Sequence, residues 1–512
     1  MTRTGRRERP RSGEIAPVAP AGLVGGRYNP LTSHELEQVH NTALRLLDEI
    51  GYAGATPSMI EVMTAGGCTL DGNGRLHVPR ALVEDVIAKA PRQVLLASQD
   101  GRHDLLIGGG RVHLGTAGAA PLIVDFGTDL TRPSTVADVY DIARLIDAQD
   151  NIHFNWRTSV ARDVDGWEAM DLNTMYALLT GSTKHAVGSY VHDGSVLQGV
   201  ALIDMIAGGE KARRERPIAS VACTFVVPPL RFASDSCLAL EAGIRAGMPV
   251  HLVIAPQAGA TGPVTLAGTV AQAAADGLIG LTFAYLLDNN CAAPISFFPF
   301  VSDLRTGAMS GGSGEQGVMA AMCAQLLRFW DLPGGVSAGM TDAKIPDAQS
   351  GAEKAHTVTL AAQAGASMVL EAAGMHASLM SVALESFVID NDMLGSVMRG
   401  IRGAEVNEET LAFEVIRDVV YGDGHFLGQP DTLARMKTDF VYPIVGDRRP
   451  PTLWEEEGCH NVRDTARTRV REILSSHYPS HVDEALDSQI RAAFDIKLSS
   501  SAMRPGNARW PI

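Results

Sequence analysis

Short apolar runs alternate with longer amphipathic stretches along most of this chain. Eight such runs predict strands at 112–115, 154–159, 185–190, 218–223, 250–254, 295–300, 336–339 and 368–371. Between them, the apolar positions have helical spacing over 136–149, 167–179, 195–206, 234–247, 265–287, 314–330 and 354–364. This alternation is typical of parallel βα units, and eight of them predict an α/β fold of the (β/α)8 TIM barrel type.

The sequence outside this alternation predicts three further regions. Apolar residues spaced three and four apart indicate helices within 31–71 and at 79–90, so we expect an N-terminal helical cap over 26–110. Residues 1–25, which begin with a basic, polar stretch and continue into Gly, Pro and Ala, predict a disordered N-terminal arm. The barrel would then occupy 111–400, and the charged stretch 401–512 predicts a C-terminal helical extension packed on the barrel.

A doubly wound sheet is the alternative architecture. Residues 312–317 match the G-x-G-x-x-G pattern of dinucleotide-binding proteins and open a predicted helix. The match does not follow its strand directly, because residues 301–311 intervene. This context favours a loop at the mouth of a barrel over a phosphate-binding turn.

Charge and composition narrow the class of function. The chain has 512 residues, 46% of them hydrophobic, and a net charge of −15, which suits a large acidic enzyme and argues against a nucleic-acid-binding protein. Its 6 cysteines form no C-x-x-C pair, which predicts free thiols of a reducing cytoplasm and no metal site. We see no apolar stretch long enough to cross a membrane, so a cytoplasmic location is expected.

Carboxylates at the ends of predicted strands are the first candidates for chemistry, because barrel enzymes carry their active sites there. Glu371 closes the eighth predicted strand, and Asp342 follows the seventh. A carboxylate buried at an apolar strand end is costly without a partner. This cost favours a catalytic role, and an ion pair with Lys344 or a helix cap is the alternative.

Residues 336–349 combine an apolar strand with a polar loop that carries Asp342, Lys344 and Asp347. This segment resembles the trimethylamine methyltransferase family, in which a pyrrolysine precedes a Ser-Asp-Ala-Lys-x-Pro-Asp run. Further similar segments lie at 126–144, 256–268, 390–392 and 425–428, so the resemblance covers roughly residues 30–475. Met340 occupies the pyrrolysine position, which implies the non-pyrrolysine branch, whose characterised members demethylate quaternary amines such as glycine betaine.

The resemblance implies a methyltransferase that moves one methyl group from a quaternary amine to the Co(I) of a separate corrinoid protein. The corrinoid would be presented by that partner and not held tightly by this chain, which is expected to be a homo-oligomer. Glycine betaine is the first candidate substrate, and proline betaine, carnitine and γ-butyrobetaine stay open. The alternatives are direct transfer to tetrahydrofolate, a non-catalytic betaine-binding barrel and a structural subunit that docks a corrinoid partner.

A trimethylammonium group has no N–H to donate, so aromatic ring faces and nearby carboxylates recognise it. The predicted strand ends offer five rings for such a cage: Trp156, Tyr190, Phe297, Phe298 and Phe300. Strand alternation would point Phe297 and Phe298 to opposite faces, and each ring could instead fill the core.

The remaining predicted site residues complete this hypothesis. Met340 could pack its thioether against a methylammonium group, and His192 could hold a substrate carboxylate. The predicted catalytic residues are Glu371, Asp342 and His376.

Two local motif matches indicate little. Residues 423–428 match the D-x-H-x-x-G pattern of corrinoid carriers, but they follow a helical stretch instead of a strand, so cobalt ligation by His425 is not expected. Residues 335–339 match the G-x-S-x-G pattern of hydrolases. Ser337 lies inside a predicted strand, whereas a nucleophilic serine needs a sharp turn into a helix.

Overall fold

A computed structural model describes residues 17–422 and 424–511 as a mixed α/β protein around a curled nine-stranded sheet. Eight strands of this sheet are parallel: β1 Arg111–Leu114, β2 Asn155–Trp156, β3 Ala186–Ser189, β4 Ala219–Cys223, β5 Val250–Ile254, β6 Ile295–Phe297, β7 Gly334–Ser337 and β8 Met368–Leu370. Each of them lies within or next to one of the predicted apolar runs. The ninth strand, Leu23–Val24, pairs antiparallel with β1.

A long helix follows each parallel strand. These helices are α1 Val136–Asp147, α2 Trp167–Gly181, α3 Asp193–Ala207, α4 Ser234–Arg245, α5 Leu266–Leu287, α6 Gly314–Trp330, α7 Ala348–Gln363 and α8 Leu384–Arg402, with a short helix, Glu210–Glu215, between α3 and β4. The helices cover the outer face of the sheet, so the strands are buried on both faces. This double burial explains why their sequences are continuously apolar.

The order of the sheet is Leu23–Val24, β1, β8, β7, β6, β5, β4, β3 and β2, so β1 and β2 are the first and last of the parallel strands. An isolated parallel bridge joins Gly115, just past β1, to Phe154, just before β2. Beside it the backbone N–H of His153 donates to the Leu114 carbonyl oxygen at 2.6 Å, and the Leu114 N–H donates to His153 Nδ1 at 2.9 Å. The two ends of the parallel series therefore meet.

The inside of the curled sheet has a core of its own. A hairpin of two strands, Val94–Leu96 and Leu105–Ile107, contributes four buried side chains to it. These pack in one cluster with side chains of the parallel strands and adjoining residues: Phe154, Trp156, Val187, Ala222, Val253, Phe298, Met368 and Leu370. The hairpin fills the interior together with Phe154 and Met368, from the amino ends of β2 and β8, and this leaves the carboxyl ends for a site.

The N-terminal region is less helical than predicted. Its helices are Ser33–Arg45, a π-helical turn Leu46–Ile50, Pro57–Ala65 and Arg80–Lys89. Three short strands, Tyr52–Ala53, Thr69–Leu70 and Arg75–His77, join Val226–Val227 and Arg231–Phe232 in a five-stranded sheet. Strands of two or three residues are too short to give a period-two pattern, so helical spacing dominated this part of the sequence.

Part of the predicted N-terminal arm is ordered by pairing. Residues 1–16 lie outside the described residues, but Gly22 and Gly25 donate backbone N–H groups to Val112 and Gly110 carbonyl oxygens, each at 2.9 Å. These bonds hold Leu23–Val24 against β1. The hydrogen-bonding edge of β1 is the structural reason, and the Pro- and Gly-rich sequence around this strand did not indicate it.

Two smaller sheets lie in the segments past the parallel strands. One contains Leu122–Val124, Thr131–Pro133, Met375–His376 and Ser381–Val382, and the other contains Gln257–Ala258, Phe300–Ser302 and Met309–Ser310. The predicted strand at 295–300 is therefore two strands, because β6 ends at Phe297 and the next begins at Phe300.

The C-terminal segment contains the helices Glu408–Leu411, Phe413–Tyr421, Pro430–Arg435, Pro451–Glu456, Val462–Ser476 and Glu484–Ala493. Val462–Ser476 is fastened to the body through Arg144 of α1. Its guanidinium donates to the Leu474 and His477 carbonyl oxygens, both at 2.7 Å, and so satisfies the end of that helix.

Helix α5 corrects one expectation from the sequence. Its 22 residues, with a mean hydropathy of 1.4, are long and apolar enough to cross a membrane, although no such stretch was evident in the sequence. In the fold, 83% of the most apolar 18-residue stretch of this helix is buried, as in the core helix of a globular protein. The cysteines follow the prediction: all six thiols are free, and only Cys459 is exposed.

Candidate functional site

A cavity of about 410 Å³ opens at the carboxyl ends of the parallel strands. Residues at or just past β1, β2, β3, β4, β5, β6 and β8 line it, so one space collects side chains from distant parts of the sequence. Those used below are Trp156, Arg157, Asp171, Tyr190, Phe298, Phe300 and Glu371. Its volume lies within the range of small-molecule sites.

Aromatic rings form one wall of the cavity. The Trp156 and Phe298 ring centroids are 6.1 Å apart at an interplanar angle of 70°, and those of Phe298 and Phe300 are 6.2 Å apart at 63°. Both pairs are edge-to-face, an arrangement that aromatic pairs prefer. The wall therefore presents ring faces and apolar edges to whatever occupies the cavity.

A polar layer beneath the wall fixes Trp156. The His251 ring lies 4.8 Å from the Trp156 ring, and its two nitrogens contact the Ser220 and Ser296 hydroxyls at 3.0 and 3.3 Å. Burial lowers the pKa of His251 to about 3, so the imidazole is neutral. The sequence analysis missed this layer, and its only signal was a histidine inside an apolar strand.

Glu371 is the most unusual carboxyl group of the cavity. It follows β8 with a φ of +65°, in the left-handed region that non-glycine residues seldom adopt. Neither carboxyl oxygen has a hydrogen-bond partner within the described part of the chain, and burial raises the pKa of Glu371 to about 8. At neutral pH the side chain is therefore mostly a neutral acid that faces the cavity.

Tyr190 and Arg157 add further polar groups without partners. Within the described ranges, the Tyr190 hydroxyl and Arg157 Nε make no hydrogen bond. Tyr190 fits because Gly199 of α3 leaves room for it: a Cβ there would lie 2.3 Å from the hydroxyl oxygen. Unsatisfied buried polar groups are rare in native proteins, and several around one cavity indicate a ligand site.

The Arg157 side chain is only 12% exposed, and its nearest carboxylate is Asp171, at 3.9 Å between a terminal nitrogen and Oδ1. The other Asp171 oxygen accepts the Val191 N–H at 2.9 Å. Burial lowers the pKa of Arg157 and raises that of Asp171. The sequence analysis overlooked both residues; Arg157 directly after Trp156 in a predicted strand was the available signal.

Asp342 and Met340 do not line the cavity. Asp342 accepts hydrogen bonds from the Ser310 hydroxyl at 2.8 Å, the Gly311 N–H at 2.7 Å and the Ser378 hydroxyl. It thereby ties together the loops that follow β6, β7 and β8. Met340 is fully buried, and its side chain packs beside Gly311.

Phe297, His376 and His192 also lie away from the cavity lining. Phe297 points outward, toward Gly277 of α5. The buried His376 bonds to the Ser386 hydroxyl at 2.6 Å and the Ala343 carbonyl oxygen at 3.2 Å. His192 caps α3 by accepting the Ser195 N–H at 3.4 Å. The cavity thus brings together Trp156, Tyr190, Phe298, Phe300 and Glu371 of the predicted site residues.

The structure also shows where the residues of the local motif matches lie. Ser337 lies inside β7, and Ser313, within the glycine-rich match, caps α6. His425 is exposed in a loop, and Asp423 of its motif lies outside the described residues. Over residues 17–422 and 424–511, no cluster of three or more His, Cys, Asp or Glu side chains could hold a metal ion.

Fold and cavity together define an α/β protein with a candidate small-molecule site at the carboxyl edge of a parallel sheet. The family model described as trimethylamine methyltransferase (MTTB) matches residues 2–500. The chain belongs to this family, and the predictions of the family and of methyltransferase class are confirmed.

Individual relatives match over nearly their whole lengths. A glycine betaine methyltransferase of Desulfitobacterium hafniense is 29% identical over 468 residues, 91% of this chain and 96% of that protein. Trimethylamine methyltransferase MttB1 of Methanosarcina mazei is 30% identical over 483 residues, 92% of this chain and 96% of that protein. Relatives with different named substrates are thus equally similar, so overall identity does not select the amine.

Proposed function

We propose that this enzyme transfers one methyl group from a quaternary ammonium compound, glycine betaine or a related betaine, to the Co(I) of a separate corrinoid protein. The observation that carries the proposal is the cavity: an aromatic wall faces unpartnered polar groups in a space of about 410 Å³. Family membership supports the reaction class, and Met340 at the pyrrolysine position favours a quaternary over a tertiary amine.

We also propose that the eight parallel strands form a closed (β/α)8 barrel over residues 111–400. The bridge between Gly115 and Phe154 supports closure, because it joins the first and last parallel strands. Residues 26–110 and 401–512 would be a cap and an extension of that barrel. A closed barrel would give the substrate one open end at the carboxyl ends of the strands.

A cavity of this volume suits a betaine but is too small to enclose a corrin macrocycle. The proposed acceptor therefore stays on its partner protein at the cavity mouth, where its Co(I) would be the nucleophile that attacks the methyl carbon. In the proposed displacement, the C–N bond breaks with its electron pair retained by nitrogen as the methyl carbon bonds to cobalt. The tertiary amine leaves neutral, so the chain need not supply a proton.

The residues of the cavity would act by binding, orientation and exclusion of water. Ring faces of Trp156, Phe298 and Phe300 would hold the methyl groups of the cation. The neutral Glu371 and the Tyr190 hydroxyl would interact with the substrate without a full counter-charge. A weakly paired cation is a better methyl donor than one held against a carboxylate, because its positive charge stays on the reacting group.

The test is a spectral assay in which cob(I)alamin, free or on a cognate carrier, is offered a panel of tertiary and quaternary amines. Conversion to methylcob(III)alamin with a betaine would support the proposal. Demethylation only when tetrahydrofolate replaces the corrinoid would select the alternative acceptor. Binding of a betaine without any product would select a non-catalytic barrel.

A further inference from the structure

The cavity contains a positively charged side chain, that of Arg157, which a site for a simple cation would not be expected to have. Arg157 lines the cavity, and its guanidinium donates no hydrogen bond to any described residue. Asp171, at 3.9 Å, lies beyond hydrogen-bond distance, and one of its oxygens is occupied by the Val191 N–H. A guanidinium has five N–H donors, so most of its binding capacity is unused.

A quaternary ammonium ion near Arg157 would be repelled, and the repulsion is strong where water is excluded. An anionic group on the same molecule that meets the guanidinium adds an attraction that offsets this repulsion. Arg157 and Asp171 cancel in charge, and the largely neutral Glu371 adds little at neutral pH. The net charge of the cavity therefore suits a zwitterion better than a cation.

We propose that Arg157 binds the carboxylate of the substrate while the aromatic wall binds its ammonium group, so that the enzyme selects betaines over simple quaternary ammonium ions. This inference rests on the proposed function and adds a specificity-determining residue to it. The planar guanidinium can meet a carboxylate through two parallel hydrogen bonds. Asp171 would orient the Arg157 guanidinium from the side away from the substrate.

The experiment is calorimetric titration of the full-length chain, without a methyl acceptor, with glycine betaine, choline and tetramethylammonium. Choline replaces the carboxylate of glycine betaine by a hydroxymethyl group of similar size. We expect glycine betaine to bind at least about tenfold more tightly than choline. Choline binding as tightly as glycine betaine would overturn the role of Arg157.

The variants are Arg157→Met and its matched control Arg162→Met, which removes an exposed arginine from the following loop. Arg157→Met should weaken glycine betaine binding at least about thirtyfold and leave choline binding undiminished, because the repulsion is also gone. An equal loss for both ligands would assign Arg157 a structural role only. If Arg157→Met does not fold, Arg157→Lys and the wild-type preference decide the question.

The binding data also separate this inference from the proposed function. If wild-type enzyme binds none of the three ammonium compounds, both fail. If it transfers a methyl group from choline as efficiently as from glycine betaine, the proposed reaction class stands and the carboxylate anchor fails.

Discussion

Phe297 and Phe298 are neighbours in the sequence that belong to different environments. The Phe298 ring lies in the cavity wall, 6.1 Å from Trp156, whereas Phe297 packs outward in the core between sheet and helices. A strand sends successive side chains to opposite faces, so the two residues form a natural control for each other.

Phe298→Leu should weaken betaine binding with little change in thermal stability, because it keeps an apolar side chain but removes the ring face. A desolvated cation–π contact is worth about 2 kcal/mol, which corresponds to about thirtyfold in Kd. Phe297→Leu should do the reverse, with a loss on the order of 1 kcal/mol in unfolding free energy and an unchanged Kd. Titration calorimetry and denaturant unfolding of both variants check this, and the opposite assignment would remove Phe298 from the proposed cage.

Glu371 makes a prediction about pH. Its pKa is raised by burial to about 8, so folding favours the protonated form. Its contribution to stability is complete below the unfolded-state pKa near 4.5 and is lost as the pH rises through about 8. The unfolding free energy of Glu371→Gln should therefore rise relative to that of wild type by a few kcal/mol between about pH 5 and about pH 9, since one pKa unit is about 1.4 kcal/mol.

Denaturant unfolding across this pH range measures the difference in unfolding free energy between Glu371→Gln and wild type. Contributions from the other titrating groups cancel in this difference, because both proteins contain them. Glu61→Gln, an exposed position in the helix Pro57–Ala65, is the matched control and should leave the difference flat. A difference that does not change with pH would contradict a neutral Glu371.

The sequence indicated some of these residues and concealed others for physical reasons. Glu371 could be found because a carboxylate at the end of an apolar strand is unusual. Arg157, directly after Trp156 inside a predicted strand, was a weaker signal, because only the packed structure reveals that its Nε lacks a hydrogen-bond partner and that Asp171 lies 3.9 Å away. Asp342 was a reasonable candidate, yet its hydrogen bonds hold loops together, and such long-range contacts leave no local pattern.

At the scale of elements, the parallel strands were predictable because burial on both faces makes them continuously apolar. β5 is such a case, with the same bounds in prediction and structure. The short strand Tyr52–Ala53 was not predictable, since its partners Arg231–Phe232 and Arg75–His77 lie elsewhere in the sequence and determine it.

Helices α7 and α8 are joined by a buried ion pair. Lys354 Nζ lies 2.7 Å from Asp390 Oδ2, the side chains are 1% and 6% exposed, and the Gly374 N–H donates to the same oxygen. Lys354→Met would leave the Asp390 carboxylate buried without its counter-charge. We expect a loss of about 3–5 kcal/mol in unfolding free energy.

Lys89→Met is the control for this prediction. Lys89 and Asp85 also lie 2.7 Å apart, but the side chains are 57% and 48% exposed, so the loss should stay below about 1 kcal/mol. Chemical denaturation of the two variants measures both losses. Equal effects would show that burial of the α7–α8 pair does not matter for stability.

For the whole molecule, the segment from Val406 to Ile444 stands out by its exposed apolar side chains. They are Val406, Leu411, Phe413, Ile416, Val420, Tyr421, Phe426, Leu427, Leu433, Met436, Phe440, Tyr442 and Ile444. Soluble monomers rarely expose so many large apolar residues in one region, and such a surface usually meets another protein. Acidic residues outnumber basic ones seven to three between 406 and 444, and Arg417 and Arg435 pair with some of these carboxylates. The apolar side chains and not the charges would therefore hold two copies together.

The family resemblance led us to expect a homo-oligomer, and this segment is the surface on which we expect the copies to meet. Wild-type protein should have at least twice the monomer mass of 54.3 kDa in light scattering after size exclusion. Phe413→Glu together with Tyr421→Glu should lower that mass, because each places a charge where an apolar contact is expected. Leu197→Glu, at an exposed apolar position of α3, should not. A wild-type monomer at micromolar concentration would contradict the prediction. The surface could then bind the corrinoid partner instead, and the same light-scattering measurement with that partner added would test this.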